Sequence, residues 1–556
     1  MKYSKYLPLL TDEKLESLKT SEAFSAFRRE LFQSAEEKKN TTPPYVRFSE
    51  LNLFAENGDR KTFERVFGDY ANRIHIFAAA YLLSEDESYL PHLADALWSY
   101  CDFETWSLQA HCNLEDTVTR REYIDLNAAS IGAAISEYLY LLEDKLPKRL
   151  CLRVHHELRA RIVDAFKKHQ NYWYFNTTNN WASVIAAGVF CVYLYEATEE
   201  EIAQQLPVLM KLIDNYLLGF DDEGCCKEGY GYWTYGFTHF CYFAELLRAY
   251  TNGEVNLFKS EKVRAIAHFQ ENASIDERHA IPFSDCNFAF NPAAYLTHFL
   301  KREYPDVVVP PLSLNYITRD IRLISWMDAD IPSQALEQRS HIFHENQWFI
   351  YKSPSYNIAC KAGNNVEFHN HNDVGSFVIS KNNTLSFLDP GCGHYTKQYF
   401  SNLRYTFVES SSRGHSVPII NGKHQYTTEK KATVYTAQPD EYAFSIHQAY
   451  EDDTLVSAKR HFRCEKDAVV LTDTFAFAKA PTALTERFVS LEKPVLLAPG
   501  RVQVAQTILE YDAECLDVVL GGEPHTARTD GVISIFFTDL IPKQLHTNIT
   551  VSVRFV

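Results

Sequence analysis

The densest run of side chains able to move protons or bind a metal is Phe368-His369-Asn370-His371-Asn372-Asp373-Val374-Gly375-Ser376-Phe377, followed by Leu388-Asp389-Pro390-Gly391. On an extended strand, residues two apart share a face, so His369, His371 and Asp373 are expected to point the same way. Such a row is costly to bury without partners. A further imidazole, His415, lies in Ser412-Arg413-Gly414-His415-Ser416-Val417, and Asp389 follows an apolar strand from which it could meet the first cluster. A His, Asp, His set suits zinc with a fourth position open or filled by water. Hydrogen-bonded histidines at a strand end satisfy the same spacing.

Two segments of the first half look unlike core. Asn176-Thr177-Thr178-Asn179-Asn180-Trp181 ends where an apolar run begins, so an asparagine there can cap a helix. Two amides beside Trp181, with Trp173 and Tyr174 upstream, also read as a sugar-facing surface. The second segment is Glu228-Gly229-Tyr230-Gly231-Tyr232-Trp233-Thr234-Tyr235-Gly236-Phe237-Thr238-His239. On a helix Tyr232 and Tyr235 share a face. An aromatic stripe is usually core, but the flanking glycines weaken a core helix without adding packing.

The elements that must carry these groups change character along the chain. Up to about residue 330 apolar residues recur at three and four positions, as in Leu93 to Trp98, Tyr123 to Leu142 and Ile202 to Leu218, which predicts helical hairpins without a fixed repeat. After about residue 340 the pattern alternates, in Gln347–Tyr351, Ser376–Ser380, Ala432–Tyr435, Ala468–Thr472 and Ile549–Val553. Lys381-Asn382-Asn383 and Gly521-Gly522 are expected as turns. The boundary falls between Ile331 and Ser340, giving a helical domain over 1–335 and an antiparallel β-domain over 336–556.

With 556 residues, 46% of them hydrophobic, the chain is long enough for two or more domains. Its formal charge of −17 argues against a partner built of nucleic acid. Twelve cysteines without a CxxC pair suggest reduced thiols. The apolar stretch near the N-terminus stops at Thr11-Asp12-Glu13-Lys14, too soon for a secretory signal, and no run reaches the roughly 20 residues that span a bilayer. The expectation is a cytoplasmic protein without a membrane partner, with self-association left open.

Together these segments resemble the heparinase II/III-like family of polysaccharide lyases. The most specific match is HNHNDVGSFVISKNNTLSFLDPG, which is similar to that family's HxHxDxxSF, turn, and strand ending in Asp-x-Gly. TNNW at 178–181, EGYGYWTYG at 228–236, WSLQAH at 106–111 leading to Ile124-Asp125-Leu126, and RGHSV at 413–417 support it. The resemblance implies an incomplete α/α toroid followed by a β-sandwich of stacked antiparallel sheets, with the active site in the cleft between them. It implies β-elimination at a uronic acid of an acidic oligosaccharide or polysaccharide, leaving a 4,5-unsaturated uronate.

By the same resemblance Asn180 neutralises the uronate carboxylate and His369 transfers a proton from the β-domain. A tyrosine of the EGYGYWTYG segment is the base or acid, Tyr235 by its distance from Asn180 and Tyr232 as the second choice. His371, Asp389 and His415 resemble the ligands of a structural zinc, and no organic cofactor is implied. Asn179, Trp181, Trp233, His239, His111, Arg121, Arg404 and Arg413 complete the expected substrate contacts. Some relatives carry histidine where this chain has Trp181, so His239 or His111 would have to replace that proton carrier. Two other readings stay open: a toroidal glycoside hydrolase, with carboxylates among Glu115-Asp116, Asp221-Asp222-Glu223 and Glu228, and a non-catalytic carbohydrate-binding protein.

Overall fold

Helices that are apolar on every side must be enclosed, whereas one-sided helices can face solvent. The computed structural model, which describes residues 4–112, 120–312, 314, 320–528 and 531–556, sorts its helices in this way. Leu126–Leu142 and Asn180–Glu196 are buried almost all round, while Lys148–Leu158 and Glu199–Leu218 bury one face. Caps define where the enclosed helices start. Asp125 accepts from the Ala128 amide at 2.8 Å, and Asn179 accepts from the Trp181 amide at 3.1 Å. The expected helix at Tyr123 therefore begins three residues later, after its cap. Gly188 lets the two helices cross closely, since a Cβ there would lie 2.4 Å from the Ala129 carbonyl oxygen.

The chain divides into two compact units. The helical unit comprises 1–219, 233–264 and 292–334; the sheet unit comprises 220–232, 265–291 and 335–556. A single cut at 335/336 thus follows the change from helix to strand, but two earlier stretches pack with the sheets. The cause is aromatic and polar anchoring: Phe283 meets Trp348 edge-on at 5.0 Å, Phe269 lies 5.8 Å from Phe343, and the Asn346 amide donates to Asp221.

In the helical unit, the Arg322 guanidinium is enclosed with Glu137 and Glu245, each from a different helix, and donates to Glu137 through Nε at 3.0 Å. Removing one member of such a set strands the others' charge. His298 supplies a pH dependence. Only 3% exposed, its Nδ1 accepts from the Asp328 amide at 2.9 Å. Burial, helped by Arg302, draws its pKa down to about 4. The neutral ring is therefore the folded form. Its contribution is complete above the unfolded value near 6.5 and is lost as pH falls toward 4. We expect His298→Asn to remove about 3 kcal/mol of the acid loss of helical-unit stability over that interval, read from urea unfolding at successive pH values.

Among the described residues the sheet unit holds three antiparallel sheets. Strands from His341 to Phe387 form a five-stranded sheet in chain order, beside an eight-stranded and a four-stranded sheet. Strand Asn548–Phe555 alternates, with Ile549, Val551, Val553 and Phe555 inward, and pairs with Val469–Phe477. Asn382 and Asn383 both take left-handed backbone (φ 52° and 54°), forming the tight turn that joins Phe377–Lys381 to Thr384–Phe387. The turn expected at Gly521-Gly522 is absent, because both glycines lie inside strand Leu516–Thr526, opposite Phe537 and Phe536. A Cβ on Gly522 would lie 2.7 Å from the Ile535 carbonyl oxygen, so Gly522 marks a close approach, not a turn. Among the described residues no helix is long and apolar enough to cross a membrane.

Candidate functional site

Each unit gathers part of the predicted set. In the helical unit Asn180 is the first residue of helix Asn180–Glu196 and only 3% exposed. Gly236, on helix Tyr230–Tyr250, lies against it: a Cβ on Gly236 would fall 3.1 Å from the Asn180 Cβ and 2.7 Å from the Tyr216 hydroxyl. The Ser183 hydroxyl ties the same contact by donating to the Gly236 carbonyl at 2.9 Å. The missing side chain thus brings Tyr235, one residue earlier, beside the Asn180 helix. The Tyr235 side chain reaches the surface, 37% exposed, and His239 packs on its ring at 5.0 Å. Desolvation of the phenolic oxygen, with the Asp125 charge, raises its pKa, opposed by a hydrogen bond with Ser130.

Trp181 stands next to this pair, 4.9 Å from the His111 ring and 4.8 Å from Trp173, which is 52% exposed. The Asp125 carboxylate accepts from His111 Nδ1 at 2.7 Å, from the Leu108 amide at 3.0 Å and from the Ala128 amide at 2.8 Å. As a carboxylate can only accept, His111 carries its proton on Nδ1, leaving Nε2 as the acceptor.

In the sheet unit His369 does not lie on a strand. The segment is a turn in which His369 itself has left-handed backbone (φ 58°) and Gly375 another (φ 98°); the strand starts only at Phe377. The expected row of His369, His371 and Asp373 is therefore broken: Asp373 turns away to a buried ion pair with Lys361 at 2.7 Å. Both histidines instead meet Asp285, which no motif signals. His369 Nδ1 donates to Asp285 Oδ2 at 2.8 Å, and His371 Nε2 to Asp285 Oδ1 at 3.0 Å. The His369 ring stacks on Tyr232 at 4.1 Å, whose hydroxyl bonds that of Tyr395 at 2.8 Å. Burial raises the Tyr232 pKa. His369 Nε2 faces Glu228 at 3.7 Å, beyond hydrogen-bond distance.

His371, Asp389 and His415 present one ligand atom each, all within 4.8 Å of one another and wholly buried. His371 Nδ1 has no hydrogen-bond partner, and His415 Nδ1 and Asp389 Oδ2 have only each other, at 3.2 Å, a convergence of buried polar atoms that a cation would satisfy. The opposite nitrogens are held, His371 Nε2 by Asp285 at 3.0 Å and His415 Nε2 by the Glu409 carbonyl at 2.8 Å. That is the support usually given to imidazole ligands. The donor set fits zinc with an open position.

Several expected contacts lie elsewhere. Trp233 is 0% exposed and stacks on Phe237 at 5.7 Å, because two residues on a helix separate it from the face of Tyr235; it cannot touch substrate. Arg404 is engaged internally, donating to Asp285 at 2.8 Å and to the Asn370 carbonyl at 3.1 Å. Arg121 and Arg413 remain near the surface but are paired with Glu157 and Glu523. Asn179 serves its helix as the cap. Of the carboxylates weighed for a hydrolase, Glu115 and Asp116 lie outside the described residues, and Asp221 is tied to the Cys225 amide and Asn346.

No protein-family model and no curated protein sequence matches the chain. Solved structures match it in fold. Heparinase III aligns with a TM-score of 0.64 at 13% identity, covering 98% of this chain and 91% of that one. A heparan sulfate lyase mutant from Pedobacter heparinus aligns at 0.62 and 12% identity, covering 100% and 93%. The chondroitin AC lyase of Streptomyces coelicolor A3, in complex with chondroitin sulphate, aligns at 0.59 and 10%, covering 99% and 82%. The chain has the fold of these proteins, a helical toroid followed by antiparallel sheets; the order of helices and then strands is what its periodicity predicts, and the toroid is what the family resemblance implies.

Proposed function

We propose that the protein is a polysaccharide lyase that cleaves uronate-containing glycans by β-elimination. The observation that carries this reading is the Asn180 and Tyr235 pair on two touching helices, in a chain that also holds an imidazole, His369, already oriented through Nδ1. Elimination asks for such groups: a donor to neutralise the carboxylate so that C5 becomes acidic, a base for the C5 proton, and an acid for the departing O4. Hydrolysis asks for two carboxylates flanking the bond. In the helical unit the buried carboxylate of Asp125, whose charge acts on Tyr235, already has its oxygens occupied by two amides and His111.

Asn180 supplies the amide at the start of a 17-residue helix, where the aligned backbone dipoles also favour an anion. His369 acts as base, since its proton sits on Nδ1 against Asp285 and Nε2 is the accepting nitrogen. Tyr235, whose raised pKa keeps the phenol protonated, donates to O4. Tyr232, stacked on His369, limits the ring's rotation. His111, Trp181 and His239 offer sugar-facing surface beside the pair. Zinc held by His371, Asp389 and His415 would supply fixed positive charge and brace the loop that bears His369.

Two outcomes check these roles. Tyr235→Phe is expected to lower kcat by about 10²- to 10⁴-fold on a glycan, and much less on a uronate bearing an activated C4 leaving group that needs no proton. Metal analysis of the purified protein is expected to find stoichiometric zinc in the wild type and none in His371→Ala; a metal-free, fully folded wild type would contradict the ligand assignment. The reading as a whole is tested by digesting a panel of uronate oligosaccharides with ultraviolet detection. A binding protein would show no turnover.

A further inference from the structure

Asp285 sits on a segment that reaches the sheets from earlier in the chain, and its seating is rigid. A Cβ on Gly229 would lie 2.7 Å from the Phe283 carbonyl oxygen, and one on Gly391 would lie 2.4 Å from that of Cys286. Ser284, with left-handed backbone (φ 65°), donates its hydroxyl to the Lys227 carbonyl at 2.9 Å. Non-glycine residues in this region persist only when their surroundings hold them. The Asp285 amide also donates to the His369 carbonyl at 3.2 Å, so Asp285, next to the strained Ser284, and the strained His369 hold each other through backbone as well as side chain.

The carboxylate is wholly enclosed and accepts four hydrogen bonds. Oδ2 takes His369 Nδ1 at 2.8 Å; Oδ1 takes His371 Nε2 at 3.0 Å, the Tyr399 hydroxyl at 2.6 Å and Arg404 Nη2 at 2.8 Å. Because it only accepts, each imidazole must place a proton on the nitrogen that faces it. The two rings face it with opposite nitrogens. His369 is left with Nε2 as its other nitrogen, 3.7 Å from Glu228, and His371 with Nδ1 toward Asp389 and His415.

We infer that Asp285 is a positioning residue whose single carboxylate sets the tautomers of both His369 and His371, and so links the proton-transfer imidazole to the cation site. The role of His369 in turnover rests on the function proposed above; the tautomers do not. Arg404 and Tyr399 both donate to Oδ1, so in Asp285→Asn the amide oxygen stays at that position and the NH₂ group faces His369. His371 keeps its acceptor, while His369 must accept through Nδ1 and move its proton to Nε2.

The test uses the zinc-loaded full chain. Nitrogen NMR of isotope-labelled histidine should show His369 protonated on Nδ1 and His371 on Nε2 in the wild type; the reverse at either ring overturns the proposal whether or not any variant folds. Asp285→Asn should lose about 10²- to 10⁴-fold in kcat with KM nearly unchanged, and keep its zinc affinity in chelator competition. Asp285→Ala should weaken zinc about 10- to 100-fold as well. An Asn variant that turns over normally, or an Ala variant that holds zinc as tightly as wild type, would also overturn it. If the wild type cleaves no uronate, the NMR and zinc measurements still decide the role of Asp285, and the failure belongs to the functional reading alone.

Discussion

Asn180→Ala is expected to lower kcat on a uronate oligosaccharide by about 10²- to 10³-fold, the usual effect of removing one fixed donor to a developing oxyanion. The amide is almost fully enclosed at the start of its helix, so little rearrangement accompanies the reaction. Asn180→Asp gives the sharper result. It keeps the shape of the side chain but sets a negative charge where the uronate carboxylate must lie, so it should be at least as damaging as alanine. If Asn180 were only a packing residue, the isosteric aspartate would be tolerated better than alanine. Steady-state kinetics of the three proteins on one oligosaccharide separate the cases.

His369→Ala is expected to lower kcat by about 10²- to 10⁴-fold. Unlike Tyr235→Phe, it should not recover on a substrate with an activated C4 leaving group, because removal of the C5 proton is still required. Recovery of His369→Ala, with none in Tyr235→Phe, would show that His369 serves the leaving group and that the acid and base roles are reversed. If the two residues and Asn180 work in one turnover, the double variant Asn180→Ala with His369→Ala should be little worse than the more damaged single variant. Losses that multiply would mean that the groups act independently.

How much of this was legible in the sequence depends on the range of the forces involved. Asn179 and Asn180 announce a helix start because capping is local, and the alternation of Ile549 to Val553 announces a strand because one face is buried. Residue type alone leaves His369 and Asp373 beside His371, Asp389 and His415; the family resemblance singles out the last three, and the structure brings them together. The turn at His369 was not readable: its left-handed backbone is held by Asp285, 84 residues away, and the local pattern of alternating histidines resembles a strand. Trp233 shared a motif with Tyr235 but not a face, and only packing against Phe237 shows which side is core. Gly521 and Gly522 looked like a turn because the pairing of both, and the close contacts of Gly522 with Phe536 and Ile535, come from a partner strand. The stretches 220–232 and 265–291 precede the change of period near residue 335 yet belong with the sheets for the same long-range reason.

The central claim is elimination without water. The most direct measurement is to incubate the purified protein with defined uronate oligosaccharides and follow both ultraviolet absorbance and product mass. The account predicts new absorbance from a conjugated 4,5-unsaturated uronate, with product masses that sum to that of the substrate. Products that together weigh one water more, with no absorbance gained, would mean hydrolysis and would contradict it.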